Sequence, residues 1–162
     1  MNKKNYQLIE QFYEGFKAAD HEMMHACYHQ DIQFSDAIFN LQQHEAKAMW
    51  HMLCENSKEL TLTYTIEEVN DKEGKAYWEA IYIFGKTGYK VHNKVNAKFY
   101  FQDNLIIKHT DQFNFWQWSK MALGTTGLAL GWVPGFKAIF AKQAKKMLDE
   151  FMLNKDEYSQ KK

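Results

Sequence analysis

Four stretches rich in β-branched and aromatic residues, Leu60 to Val69, Ala76 to Phe84, Val91 to Phe101 and Leu105 to Phe115, follow one another with only turn-type clusters between them. The separators Asn70-Asp71-Lys72-Glu73-Gly74, Gly85-Lys86-Thr87-Gly88 and Gln102-Asp103-Asn104 are short, so consecutive strands must pair as hairpins in an antiparallel meander. Ahead of the meander the hydrophobic period is helical. Ile9, Phe12, Tyr13 and Phe16 mark a first amphipathic helix from about Lys4 to Ala19. Asp20 is placed to cap a second, to about His29, with Met24, Cys27 and Tyr28 inward. Ala46, Met49, Trp50 and Leu53 form the buried stripe of a third, from His44 to Asn56. Between the second and third, Asp31 to Phe39 alternates as a half-buried strand that carries one acid, Asp36, on the face of Ile32 and Phe34. The predicted class is therefore α+β, three N-terminal helices packed on a curved antiparallel meander.

The meander is followed by WQWSKMALGTTGLALGWVPG and then a helical pattern from about Phe136 to Met152, anchored by Phe140, Met147, Leu148 and Phe151. Residues 1–116 are read as one domain, 117–153 as a C-terminal helical extension packed on it, and 154–162 as a frayed polar tail. The Gly-rich apolar stretch Ala122 to Phe136 is expected to roof the interior or to pack against a second subunit.

Charge narrows the partners. Twenty Lys balance twenty Asp and Glu, and Arg is absent, so neither a net basic field nor a bidentate guanidinium fork is available. No nucleic-acid partner is expected. The longest uncharged apolar run, Met121 to Phe136, is shorter than the ~20 residues of a membrane span, and Lys142, Lys145 and Lys146 read as a solvated helix face, so no membrane partner is expected. Cys27 and Cys54 lie in helix-like stretches without a secretory segment before them, which predicts buried thiols and a cytoplasmic setting.

Among the candidate chemical groups, His21-Glu22-Met23-Met24-His25 spells the zinc-protease string, but it sits on a short helix. The next histidine, His29, is ~12 Å along the axis from His21. No metal and no cofactor are expected, and these histidines should face solvent. Asp36 is the sharpest candidate, because desolvation on an apolar strand face raises a carboxyl toward a useful general-base range. The alternative is a cap for the turn ahead of the third helix. His109 and Asp111 alternate with Ile107 and Phe113, which puts an acid-base pair on one strand face. The bland reading is a satisfied buried polar pair. Phe12, Phe16, Phe34, Trp50, Trp78, Tyr82, Phe84, Phe99 and Phe113 are the aromatic residues expected to wall a ligand cavity.

The run FYEGFKAADHEMMHACYHQDIQFSD, the helix HEAKAMWHML and the strand NLIIKHTDQFNFW resemble the SnoaL-like family of the nuclear-transport-factor-2-like (NTF2-like) superfamily, related to ketosteroid isomerase and limonene-epoxide hydrolase. The resemblance covers roughly Tyr6 to Trp116. It implies a cone around a small hydrophobic ligand, a homodimer formed through the sheet, and a proton-shuttling base at Asp36. It departs from ketosteroid isomerase at the oxyanion positions, where Phe12 and Ala97 stand, with Tyr13 one step off. It departs from the epoxide hydrolases in lacking the Arg of their Asp-Arg-Asp set, Asp111 being the matching acid. The expected function is ligand binding with possible cofactor-free isomerisation or cyclisation by Asp36, assisted by His109 and Asp111. The competing expectation is a non-catalytic interaction or dimerisation module.

Overall fold

The structure, a computed structural model, describes residues 2–56 and 59–158. Helix α1 (Lys3–Lys17) begins where Asn2 accepts the Asn5 N–H, and it buries Ile9, Phe12, Tyr13 and Phe16. Asp20 caps α2 (His21–Ala26) through the Met23 N–H, as the sequence predicts. The helix stops at Ala26, ahead of the expected His29, because the sheet recruits the next residues: the Ile106 N–H donates to the Cys27 carbonyl. Strand β1 (Tyr28–Ser35) follows at once, then a short β2 (Asn40–Gln42) that the sequence did not signal, then α3 (Gln43–Asn56).

The meander comprises β3 (Thr61–Val69), β4 (Glu73–Ile83), β5 (Lys90–Gln102) and β6 (Leu105–Gln112). The sheet order is β2-β1-β6-β5-β4-β3, antiparallel throughout except for the parallel pair β1 and β6. Asp103 and Asn104 both hold left-handed backbone (φ 52° and 62°) between paired Gln102 and Leu105, the geometry of a two-residue hairpin whose twist matches that of the strands. Register shifts with the extra residues in β1, β3 and β6 bend the sheet, since an unpaired residue kinks its strand. One face carries Trp78, Ala80, Val95, Ala97 and Phe99 into the core beneath α1 and α3. The other presents Lys94, Asn96, Lys108 and Gln112.

The last strand ends at Gln112, short of the predicted Phe115. Asn114 accepts the Gln117 N–H at 3.0 Å and so starts α4 (Phe115–Leu123). Phe115, Trp118 and Ala122 form a second apolar cluster with Val91, and Ala37, Ile38, Tyr82, Phe84 and Phe113 pack against it. Helix α5 (Thr125–Leu130) rests on α4 at a distance only glycine permits: a Cβ on Gly127 would lie 1.8 Å from the Ser119 carbonyl oxygen. Helix α6 (Pro134–Leu153) returns across α3, burying Leu148 and pairing Lys145 with Glu45 at 3.0 Å. In this single chain α4 covers one end of the cone, while Leu128, Leu130 and Trp132 of the Gly-rich stretch remain exposed. The described part of the tail is docked and not frayed, with Tyr158 buried beside His51. Residues 159–162 lie outside the described residues. No helix among the described residues is long and apolar enough to cross a membrane.

Candidate acid-base site

The parallel pairing of β1 with β6 sets Phe34 opposite His109 and Ser35 opposite Thr110. His109 and Asp111, two apart on β6, therefore point to the same inner face, with Asp36 just past the end of β1 beside them. His109 is completely buried and Asp111 is 4% exposed.

Their polar atoms are joined in one chain. The Trp50 Nε1–H donates to Tyr28 Oη at 2.7 Å, and indole can only donate. At the other end Asp111 Oδ1, which as a carboxylate oxygen only accepts, lies 3.0 Å from His109 Nε2 and so places the imidazole proton there. Nδ1 is then the acceptor, and the Tyr28 hydroxyl donates to it at 2.7 Å. Trp78 Nε1–H reaches Asp111 Oδ1 at 3.4 Å. Two partners, Tyr28 and Asp111, thus fix one tautomer of the histidine, and Trp50 and Trp78 in turn bond to those partners. Aromatic rings close the remaining sides: Trp50 is stacked on the imidazole at 10°, Phe12 and Phe34 stand edge-on at 5.3 and 5.2 Å, and Phe99 lies at 4.3 Å. His109 and Asp111 thus sit in one buried hydrogen-bonded network.

Asp36 differs. Its Oδ1 accepts the Ile38 and Phe39 N–H groups at 2.7 and 2.6 Å, and its own N–H donates to the Phe39 carbonyl, so it caps the turn into β2. Burial nevertheless pushes its carboxyl up to about 6 against those two donors; the Asp111 carboxylate adds to the rise and His109 offsets part of it. Among the described residues its second oxygen accepts no hydrogen bond, and the residue is partly exposed. The capping bonds therefore use one oxygen and leave the other without a hydrogen bond among the described residues.

The predicted wall residues divide into two sets. Phe12, Phe34, Trp50 and Phe99 enclose His109, and Phe16 stands edge-on to Trp50 and Trp78. These rings pack on one another. Tyr82, Phe84 and Phe113 are only partly buried; they join the Asp36 turn to α4, where Trp118 Nε1–H donates to Tyr82 Oη at 2.8 Å. A groove of about 620 Å³ lies between the ends of β5 and β6 and α4, lined by His92, Asn93, Gln112, Phe113, Asn114 and Gln117 among others. Of the predicted residues only Phe113 reaches it.

Sequence reasoning missed Tyr28 and Trp50 as hydrogen-bond partners, and it missed Tyr13. Tyr13 Oη is the only buried side-chain polar atom without a partner among the described residues. Burial, then the nearby Asp111 carboxylate, holds its phenol well above the usual value. The rule that buried Tyr and Trp tips seek partners is the signal that points to all three. The histidines expected to face solvent do not. His25 Nε2 meets the Lys47 carbonyl at 2.8 Å, with burial pushing it down to about 4, and His29 is 9% exposed. His21 lies flat on His51. Both thiols are buried as expected, and burial pushes Cys27 up to about 12 and Cys54 up to about 11.

No protein-family model matches the chain, and no curated protein matches it. Solved structures do. A protein of Xanthomonas campestris pv. campestris provisionally described as a polyketide cyclase superposes with a TM-score of 0.63 at 18% identity, over 74% of this chain and 97% of that one. An epoxide hydrolase of M. tuberculosis, described as LEH-like, gives 0.59 at 16% identity over 81% and 96%. An NTF2-like protein of Burkholderia xenovorans LB400 gives 0.62 at 12% identity over 75% and 98%. At these identities the likeness is one of fold: the chain has the NTF2-like cone architecture.

Proposed function

We propose that this NTF2-like protein binds a small, flat, largely apolar molecule against Tyr82, Phe84 and Phe113, and that Asp36 exchanges a proton with it. The observation that carries the reading is a partly exposed carboxyl, pushed up to about 6 by burial, whose second oxygen accepts no hydrogen bond among the described residues. The ionised carboxylate takes a proton from an activated C–H, and the carboxylic acid so formed returns it elsewhere, the chemistry of a cofactor-independent isomerase or cyclase. His109 and Asp111 hold the adjacent field in place and act as positioning residues. An epoxide-opening Asp-Arg-Asp set cannot be assembled without Arg.

The test needs no natural substrate. The protein is incubated in D2O with a panel of cyclic enones and 1,3-diketones, and loss of the acidic C–H signal is followed by proton NMR. Exchange that disappears in Asp36→Asn, with the circular dichroism spectrum retained, is the expected result. Exchange unaffected by Asp36→Asn overturns the assignment.

A second reading is favoured by a separate observation. Leu128, Leu130, Trp132 and Ile139 are 50%, 44%, 69% and 60% exposed. Apolar side chains this open suit a partner-binding surface, including that of a second copy. Sedimentation velocity of wild type against Trp132→Ser tests it: a concentration-dependent dimer weakened by the substitution supports an interaction module. A monomer at all concentrations removes self-association.

A further inference from the structure

His51, on the face of α3 away from the cone, is 5% exposed and has a carboxylate against each ring nitrogen. Glu55 Oε1 lies 3.0 Å from Nε2, and Glu157 Oε1 lies 3.0 Å from Nδ1. A neutral imidazole has one N–H, so only one of these carboxylates can meet a donor; the other meets a lone pair. Tyr158 Oη, also 3.0 Å from Nδ1, can donate to that lone pair, which places the ring proton on Nε2 facing Glu55. Glu157 is then left beside an acceptor. His21 lies over His51, ring centres 3.5 Å apart and 9° from parallel.

We infer that a divalent transition-metal ion of the Zn²⁺ class binds between His21, His51 Nδ1 and Glu157. One donor atom from each residue already lies within 4.8 Å of the others. Bonds of ~2.0–2.2 Å to a tetrahedral ion require the three to close by about an ångström, the two stacked rings to splay and the Tyr158 hydroxyl to release the Nδ1 lone pair, with water in the fourth position. Two nitrogens and one carboxylate oxygen are a donor set for Zn²⁺ rather than for Ca²⁺ or Mg²⁺. Glu55 on the distal nitrogen is the orienting carboxylate that metal-bound histidines use to fix tautomer and ring angle. Lys155, paired with Glu55, is a nearby charge that opposes a cation. The ligands come from α2, α3 and the turn after α6, so the ion would staple the chain's end to its second helix. This set differs from the adjacent pair His21 and His25, whose second member is held by the Lys47 carbonyl.

Tag-free protein is titrated with Co²⁺, read by its visible ligand-field bands, and with Zn²⁺ in competition with a chromophoric chelator. One equivalent is expected to bind with a tetrahedral Co²⁺ spectrum. Glu157→Gln and His21→Ala, at exposed and partly exposed positions, should each weaken binding at least tenfold with the circular dichroism spectrum retained. Glu55→Gln should weaken it by roughly 10- to 100-fold. His44→Ala should leave it unchanged. Binding unaltered by both Glu157→Gln and His21→Ala, or no stoichiometric binding at all, overturns the inference. So does a His51 ring that nitrogen NMR shows doubly protonated at neutral pH and undisturbed by Zn²⁺, because a second proton then occupies the place assigned to the metal.

Discussion

Removing one buried hydroxyl at Tyr28 or at Tyr13 is the same chemical change, yet the structure assigns the two opposite consequences. Tyr28→Phe leaves volume and ring packing almost intact, but it strips the Trp50 Nε1–H of its acceptor and His109 Nδ1 of its donor. Each buried group left unmatched costs about 1–3 kcal/mol, so the variant should lose about 2–6 kcal/mol of stability. In a chain of this length that is roughly 5–20 °C in Tm. Tyr13→Phe deletes a hydroxyl that has no partner among the described residues, so the cost of burying it disappears and the variant should be unchanged or up to about 2 kcal/mol more stable. Urea denaturation of both variants and wild type at one pH, with m-values compared to confirm a common unfolding transition, measures the contrast directly. The reasoning is refuted if Tyr28→Phe falls within about 0.5 kcal/mol of wild type, or if Tyr13→Phe loses more than about 1 kcal/mol.

Gly127→Ala should undock α5, because its new methyl would lie 1.8 Å from the Ser119 carbonyl; faster limited proteolysis within 124–133 with the sheet's circular dichroism intact is the expected pattern, and wild-type protection contradicts it. Asp36 gives a pH-dependent effect. Its folded carboxyl lies at about 6, above the ~3.9 of an unfolded chain, so the folded state binds the extra proton and wild-type stability falls as pH rises from about 4 through 6. Asp36→Asn cannot ionise and should gain on wild type across that window by up to about 3 kcal/mol, at roughly 1.4 kcal/mol per pH unit; a flat difference from pH 4 to 7 refutes the burial argument.

The sheet was legible because its signals are local. Asp103 and Asn104 tolerate left-handed backbone and sit between two β-rich runs, which fixes both the turn and the pairing of Gln102 with Leu105. The alternation that put His109 and Asp111 on one face, and Asp36 among apolar neighbours, needed nothing beyond the period of a strand. What escaped is what depends on distant chain. Strand β2 exists only as an edge on β1, and residues 27–28 leave the helix for the sheet because Ile106 bonds there. Tyr28, Trp50 and Trp78 come from three different elements to one histidine and its acid, and no spacing announces that convergence. The same is true of His51, which Glu55 one turn on and Glu157 far along the chain approach from opposite sides. The Asn114 cap, by contrast, was readable, and overlooking it prolonged the last strand by a few residues.

Asp36 is the group on which the functional account turns, and its titration can be observed without a ligand. Carboxyl carbon-13 NMR of uniformly labelled protein between pH 3 and 8, with the resonance assigned by its absence in Asp36→Asn, reports the midpoint. A value near 6 is predicted from its burial beside Asp111. A midpoint below about 4.5, the range of an ordinary solvated carboxylate, would contradict the account and leave Asp36 only its turn-capping role.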